Sequence, residues 1–401
     1  MMKRKFIMLG ILILALTVNT GCWNRRELNE LAIEVAMGFD KSGDKYRITS
    51  QVVDPGEVAA KEGGTGRTPV MTYQATADTP FEARRKMTTM SPRKIYSAHI
   101  RMVVIGEELA KDGINKFLDF LSRDHEHRAD FFIVVAKGTS AENVLKILTP
   151  LERIPANKLF DSLKTSEGAW APTSGVTLHD LISDLVSTGK HPVLTGLKVK
   201  GNQEIGESKE NIEEIDTPTR LEYTGLGVFK KDKLVGWLSE TESKGYNYIM
   251  DNVKTTVGVI RCPKGGKAVL EVIRSKAVMK GKVKNGNPEA DVEIRIEANV
   301  GEIECKSLDL TKTDTIYEME ARAEQKVKEI TEKAIKKAQK KYKVDIFGFG
   351  DAVHRANPKF WKRIEKNWDQ EFVDLPVNVK VDVRIRRTGT VAQSFLKELK
   401  E

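Results

Sequence analysis

Cysteine is nearly missing from this chain: three occur in 401 residues, at positions 22, 262 and 305. None forms a CxxC pair, so neither a thioredoxin-like redox centre nor a cysteine-ligated zinc site fits the spacing. Histidine is also sparse, with six residues. HExxH, which sets two imidazoles on one helix face, does not occur. The one cluster, His125-Glu126-His127, puts its imidazoles two apart and suits a solvated loop better than a metal site. His99, His179, His191 and His354 are scattered, and no nucleophile-base spacing appears. "GGTGR" at 63–67 lacks the GxxxxGK[ST] spacing, and "GFG" at 348–350 lacks both a preceding strand and a third glycine. Aromatics make up only 7% of the chain, and no basic patch interleaves with them, so nothing argues for nucleic acid. Cofactor, metal and catalytic residues are therefore all expected to be none.

What is present begins with a leader. Lys3, Arg4 and Lys5 form a positive start, Phe6 to Val18 are almost unbroken apolar residues, and Thr20-Gly21 are small residues before Cys22. This pattern reads as a signal peptide over 1–21. The apolar run is shorter than the roughly 20 residues that a spanning helix needs. A small-small-Cys ending favours lipoprotein processing, in which the Cys22 thiol takes a diacylglyceryl group, although Asn19 stands where leucine is usual. Two or three acyl chains hold a protein stably where one does so only marginally. Loss of Lys3, Arg4 and Lys5 takes the net charge from +9 to +6, a modest surplus consistent with a mixed solvated surface or with contact to anionic head groups.

The rest, at 31% charged and 40% hydrophobic, reads as a globular body too long for one core. The expected fold is α+β and α/β: a three-domain body of mixed and antiparallel sheets with packed helices, including one long helix in the C-terminal domain. The expected borders are 22–190 for an N-terminal mixed α/β domain, 191–265 for a small central sheet-and-helix domain, and 266–401 for a C-terminal domain with antiparallel strands.

The N-terminal part opens on a hairpin in "LAIEVAMGFDKSGDKYRITSQVV". A short helix at "PFEARRKMTTM", a strand at "IRMVVIG", a single helix at "EELAKDGINKFLDFLSRD", a strand at "FFIVVAKG" and a helix capped by Ser140 follow. In the C-terminal part, Ala290, Val292, Ile294, Ile296 and Ala298 alternate with polar residues, and "VNVKVDVRIRR" repeats the pattern, so each strand has one wet face. Between them a helix is expected to begin at the capping box Thr315 to Glu318 and to run to about Lys343, spanning about 40 Å. Its stripe of Ile316, Met319, Ala323, Val327, Ile330, Ala334, Ala338 and Tyr342 suits either its own sheet or a partner. Cys262 and Cys305 are compatible with a disulfide and equally with two buried thiols.

Four blocks in order, "GCWNRRELNELA", "AHIRMVVIGEELAKDGI" with "LDFLSRD" and "AKG", "GLGVFKKDKLVGWLSETESKGY" and "DIFGFGDAVHRANPKFWK", resemble the Ger(x)C family, the C subunits of spore germinant receptors. The resemblance implies a lipoprotein on the outer face of the spore inner membrane, with Cys22 the lipidated residue and germinant receptor A and B membrane subunits as partners. It implies three α/β units and a role in spore germination, and it leaves the germinant and any direct small-molecule binding open. The alternative is a solute-binding lipoprotein delivering a ligand to a transporter, which would show two doubly wound lobes. An envelope hydrolase would need a catalytic constellation that no motif supplies.

Overall fold

The computed structural model describes residues 30–54, 67–262, 265–305 and 308–389, with isolated positions 4, 6, 8 and 58. Cys22 and the tether that follows it, including Arg25 and Arg26, lie outside the described residues.

Thirteen strands are described, and the first nine belong to one sheet. They are β1 (Leu31–Ser42), β2 (Lys45–Val53), β3 (Val70–Ala77), β4 (Lys94–Tyr96), β5 (Met102–Gly106), β6 (Phe132–Ala136), β7 (Val193–Lys200), β8 (Arg220–Lys230) and β9 (Lys233–Trp237). Their order is β3-β2-β1-β5-β6-β7-β8-β9, with β4 beside the start of β1. β1, β5, β6 and β7 run parallel at the centre, and antiparallel hairpin partners extend both edges.

Six helices cover this sheet: α1 (Pro80–Lys86), α2 (Glu107–Asp112), α3 (Asn115–Arg123), α4 (Ala141–Lys146), α5 (Pro155–Ala169) and α6 (Leu178–Val186). Because side chains alternate across a strand, Val103 and Ile105 join a core with α2 and α3, while Met102 and Val104 join another with α4 and α5. Both faces are dry, which is why the central strands read as continuous apolar runs. The single helix expected over 107–124 is two helices. Gly113, at φ +138, ends α2 and lets the next amide, that of Ile114, donate to the carbonyl of Asp232.

The border expected at residue 190 cuts through this sheet. β7, β8 and β9 pair onto β6 instead of forming a central sheet of their own. The helix after β9, α7 (Glu240–Ile249), turns away and buries Tyr246, Tyr248 and Ile249 in a third core, that of the C-terminal half. The described chain is thus organised around two sheets rather than three.

The second sheet has the order β10 (Thr256–Arg261), β11 (Lys267–Lys284), β12 (Asn287–Ile303) and β13 (Val377–Arg387). The alternation in β12 is realised, with Ala290, Val292, Ile294, Ile296 and Ala298 all buried. β13, however, runs parallel to β12, so the sheet is mixed and not antiparallel throughout. A parallel neighbour needs a long crossover, and the long helix α8 (Thr313–Lys336) provides most of it. α8 starts two residues before the expected capping box, with Lys312 as its N-cap, and continues through a π-helical turn, Lys337–Tyr342, to Lys343 in the left-handed region. Its stripe lies on its own sheet, with Met319, Ala323, Val327, Ile330, Ala334, Ala338 and Tyr342 buried, so that face is not free for a partner. Three short helices, α9 (Phe349–Ala356), α10 (Pro358–Ile364) and α11 (Trp368–Val373), complete this core. Cys262 and Cys305 are joined as a disulfide, Cα atoms 6.1 Å apart, tying the ends of β10 and β12.

Candidate functional site

Three places concentrate polar chemistry. The first is a groove of about 1580 Å³ between α1 and α3. Thr79 caps α1 by accepting from the amide of Glu82 at 3.2 Å, and Pro80 presets its first turn. The inward face buries Ala83 and leaves Phe81, Arg84 and Arg85 along the groove. From α3, Phe120 meets Phe81 edge-on at 6.1 Å. Behind Arg84 Glu34 is fully buried, and Arg84 donates to it at 2.9 Å and 2.8 Å, with the Ser97 hydroxyl donating at 2.7 Å. A buried pair this fully satisfied is internally neutral and has little charge left for a ligand.

On the rim Lys94 pairs with Glu126 and Arg123 with Asp119, while the Arg85 guanidinium lies over the Phe81 ring at 5.0 Å. Nδ1 of His127 faces the carbonyl of Leu121 at 3.3 Å, while its buried Nε2 has no hydrogen-bond partner among the described residues. His125 is exposed and Glu126 is held by Lys94, so the histidine cluster does not converge. Among the described residues no group of His, Cys, Asp and Glu could hold a metal ion.

The second place is the crevice beyond the carboxyl ends of β1 and β5, where open α/β sheets commonly bind anionic ligands. Here it is filled by the chain itself. Asp40, at the end of β1, accepts from the amides of Ala141 at 2.7 Å and Glu142 at 2.9 Å, the first turn of α4. Burial lifts the Asp40 carboxyl above its ordinary range, and the two amides pull it back. Gly106 makes the fit possible, since a Cβ there would stand 2.0 Å from Asp40 Oδ1.

The third is the junction between the two halves. Asp345, fully buried in "DIFGFGD", accepts from the amides of Phe347, Gly348 and Gly350 at 2.9, 2.9 and 2.8 Å and from Trp368 Nε1 at 3.1 Å. Burial pushes its carboxyl up to about 6 against the pull of these donors. The carbonyl of Asp345 accepts from the amide of His191 at 2.7 Å. His191 Nε2 donates to Asp369 at 3.0 Å, and its Nδ1 accepts from the amide of Lys231 at 3.1 Å. Burial works against the Asp369 charge, yet His191 and Lys230 hold its carboxyl below the usual range. Ser187 donates to Asp351 at 3.0 Å, and Gly189 and Gly350 approach so closely that a Cβ on Gly350 would lie 2.6 Å from Gly189 Cα. These contacts latch the loop that follows α6 to α9 and α11.

Sequence reasoning placed Asp40 only in the reversal of the first hairpin and gave Asp345 no role. An Asp closing a buried apolar strand, and an Asp followed by glycines three and five residues later, are the signals that would have drawn attention to them. Cys22, the one site residue nominated by the sequence, is outside the described residues. Among the described residues no helix is long and apolar enough to cross a membrane.

These features define a class: an α+β protein of two mixed sheets, its strand-end crevice plugged by its own carboxylate and its halves latched by buried polar contacts. The fold is similar to that of a solved structure titled "Crystal Structure of the GerBC protein", with a TM-score of 0.54 and 19% identity over 87% of this chain and 96% of that one. Residues 24–199 match the family described as "Spore germination protein N-terminal domain", and residues 224–389 match "Spore germination B3/ GerAC like, C-terminal". "Spore germination protein KC" of Bacillus subtilis (strain 168) is 34% identical over 97% of both chains. "Spore germination protein YndF" of the same organism is 26% identical over 97% of this chain and 98% of its own. The chain belongs to the Ger(x)C family of spore germination proteins. The second matched block takes in most of β8 and all of β9, which hydrogen-bond into the first sheet, so the sequence division and the sheet division fall in different places.

Proposed function

We propose that this protein is the non-catalytic lipoprotein C subunit of a nutrient germinant receptor. It is held at the outer face of the spore inner membrane through acylated Cys22 and acts in germination by assembling with A and B membrane subunits. The observation that carries this reading is the similarity to spore germination protein KC along 97% of both chains. Two features of the fold accord with it: the strand-end crevice is occupied by Asp40, and Arg84 in the groove is matched by the buried Glu34 carboxylate. The body acts through surfaces and through its rigid junction, with the leader and Cys22 supplying attachment.

The test is recovery of the protein from detergent-solubilised spore membranes with its partners identified. Co-purification of multi-span A and B subunits is expected. Recovery of transporter components, or of nothing together with saturable solute binding by the chain alone, would replace this reading with the solute-binding one. Cys22→Ala is expected to release the protein from membranes, and undiminished retention of that variant would remove lipid anchoring from the proposal.

A further inference from the structure

We infer that the lysine face at the C-terminal end of α8 is a docking surface for an anionic lipid bilayer, an inference that rests on the reading of Cys22 as a lipid anchor. Lys333, Lys336, Lys337, Lys340 and Lys341 surround a shallow recess of about 390 Å³, and Glu242 is the one acidic residue lining it. Their spacing of 3, 4, 7 and 8 is the amphipathic period of a helix, written here in lysine. The opposite face is fixed in the core, where Ala334 and Ala338 are buried and the Gln339 side chain donates to the carbonyls of Phe372 at 3.0 Å and Leu375 at 2.8 Å. Lys337 is paired with Glu242 at 3.3 Å and Lys340 with Asp374 at 2.6 Å. Lys333, Lys336 and Lys341 have no ion-pair partner among the described residues.

A helix C-terminus favours basic residues, and one or two satisfy its dipole. Five on one face create like-charge neighbours at i,i+3 and i,i+4, each unfavourable until an anion is brought to them. The chemistry of the face selects the occupant. Lysines are point charges on flexible stems and offer no planar fork for one bidentate ligand. The recess has no aromatic or apolar wall to enclose a solute. A plane of anionic head groups matches such a surface, and an acylated N-terminus would keep that plane within reach. The lipid chains hold the protein at the membrane, and the lysine face sets which side of the body is turned toward it.

The test uses the chain from residue 22 onward with Cys22→Ser, so that no acyl group contributes, mixed with vesicles of phosphatidylglycerol and phosphatidylcholine or of phosphatidylcholine alone. Binding to the anionic vesicles, weakened by salt, is expected. With each lysine near the surface contributing about fivefold in partitioning, the variant Lys333→Gln/Lys336→Gln/Lys341→Gln should bind about a hundredfold more weakly. These side chains are exposed, and an unchanged melting curve confirms the fold. Lys359→Gln/Lys362→Gln/Lys366→Gln, at exposed positions on α10 and in the turn just after it, changes net charge equally and should lose far less.

Equal losses in the two variants, or equal binding to both vesicle types, would overturn the inference. Capture of a polyglutamate peptide without vesicle binding would do so too, and would assign the face to an acidic protein segment. Because this chain lacks the acyl group, failure here leaves the anchor reading intact, and membrane release of Cys22→Ala tests that reading separately.

Discussion

Gly106→Ala adds a single methyl group at a position whose backbone, φ −62 and ψ 143, any residue adopts without strain. In a site with room, the substitution would reduce the freedom of the unfolded chain and stabilise by about 0.4–1 kcal/mol, offset by up to about 1 kcal/mol because Ala is a poorer N-cap than Gly. The net effect would be near zero. The structure argues otherwise, because the new Cβ would stand 2.0 Å from Asp40 Oδ1 and 3.5 Å from the amide nitrogen of Ala141. The Asp40 carboxylate has to turn from its place while staying in the buried crevice, and the amides of Ala141 and Glu142 lose their acceptor. Hydrogen bonds to a charged group are worth about 1.5–3 kcal/mol each, so a net loss of about 3–5 kcal/mol is expected. The measurement is urea unfolding of the unacylated chain, with the two proteins compared at equal slope.

A second signature separates this account from simple overpacking. Burial already holds the native Asp40 carboxyl above its unfolded value. The stability from such a raised group is complete below the unfolded value and is lost as pH rises through the native one. Removing the two amides that pull it down steepens that loss, so the deficit of Gly106→Ala should shrink as pH falls toward 4. A variant as stable as the parent at neutral pH, or with a deficit independent of pH, would refute the plugged-crevice reasoning.

Asp345→Ala removes the acceptor of four buried N–H groups and should cost about 3 kcal/mol or more, with faster amide exchange at 187–191 and 346–350 than in the strands of either sheet. Because burial lifts this carboxyl from 3.8 to about 6, the parent chain should lose stability as pH rises through about 6, a component absent from the variant in the same titration. Cys262→Ser/Cys305→Ser opens a link spanning 43 residues; chain entropy puts the cost at about 4 kcal/mol, readable as a lower urea midpoint that reducing agent no longer changes. Ile330→Glu puts a charge on the buried stripe of α8, where Gly245 packs against the Ile330 carbonyl, and should cost about 4 kcal/mol or more; a stable, well-folded variant would mean that the stripe is not core.

Much of the secondary structure was legible because its causes are local. The alternation in β12, the stripe of α8 and the Ser140 cap each follow from residues within a few positions of one another. The start of α8 was misplaced for the same reason, since Thr315 to Glu318 has the spacing of a capping box while the helix extends one half-turn further back. The lysines at the end of α8 are consecutive enough to be seen in the sequence, but which of them are paired is not, because Glu242 and Asp374 reach Lys337 and Lys340 from other elements. Asp40 and Gly106 meet a helix that starts 101 residues after Asp40, and nothing in either neighbourhood announces the contact. The Asp345 cradle is mostly local, whereas its use as a latch depends on the loop ending at His191.

The sequence by itself determined the family and which side of each amphipathic element turns inward. The periods of helix and strand write that information into consecutive residues. The tertiary structure decided that β7, β8 and β9 complete the first sheet, that β13 lies parallel to β12, that Cys262 meets Cys305, and that Asp40 fills the strand-end crevice. These are choices of partner between distant segments, set by which arrangement buries the most apolar surface with every backbone group satisfied, and no local pattern encodes them.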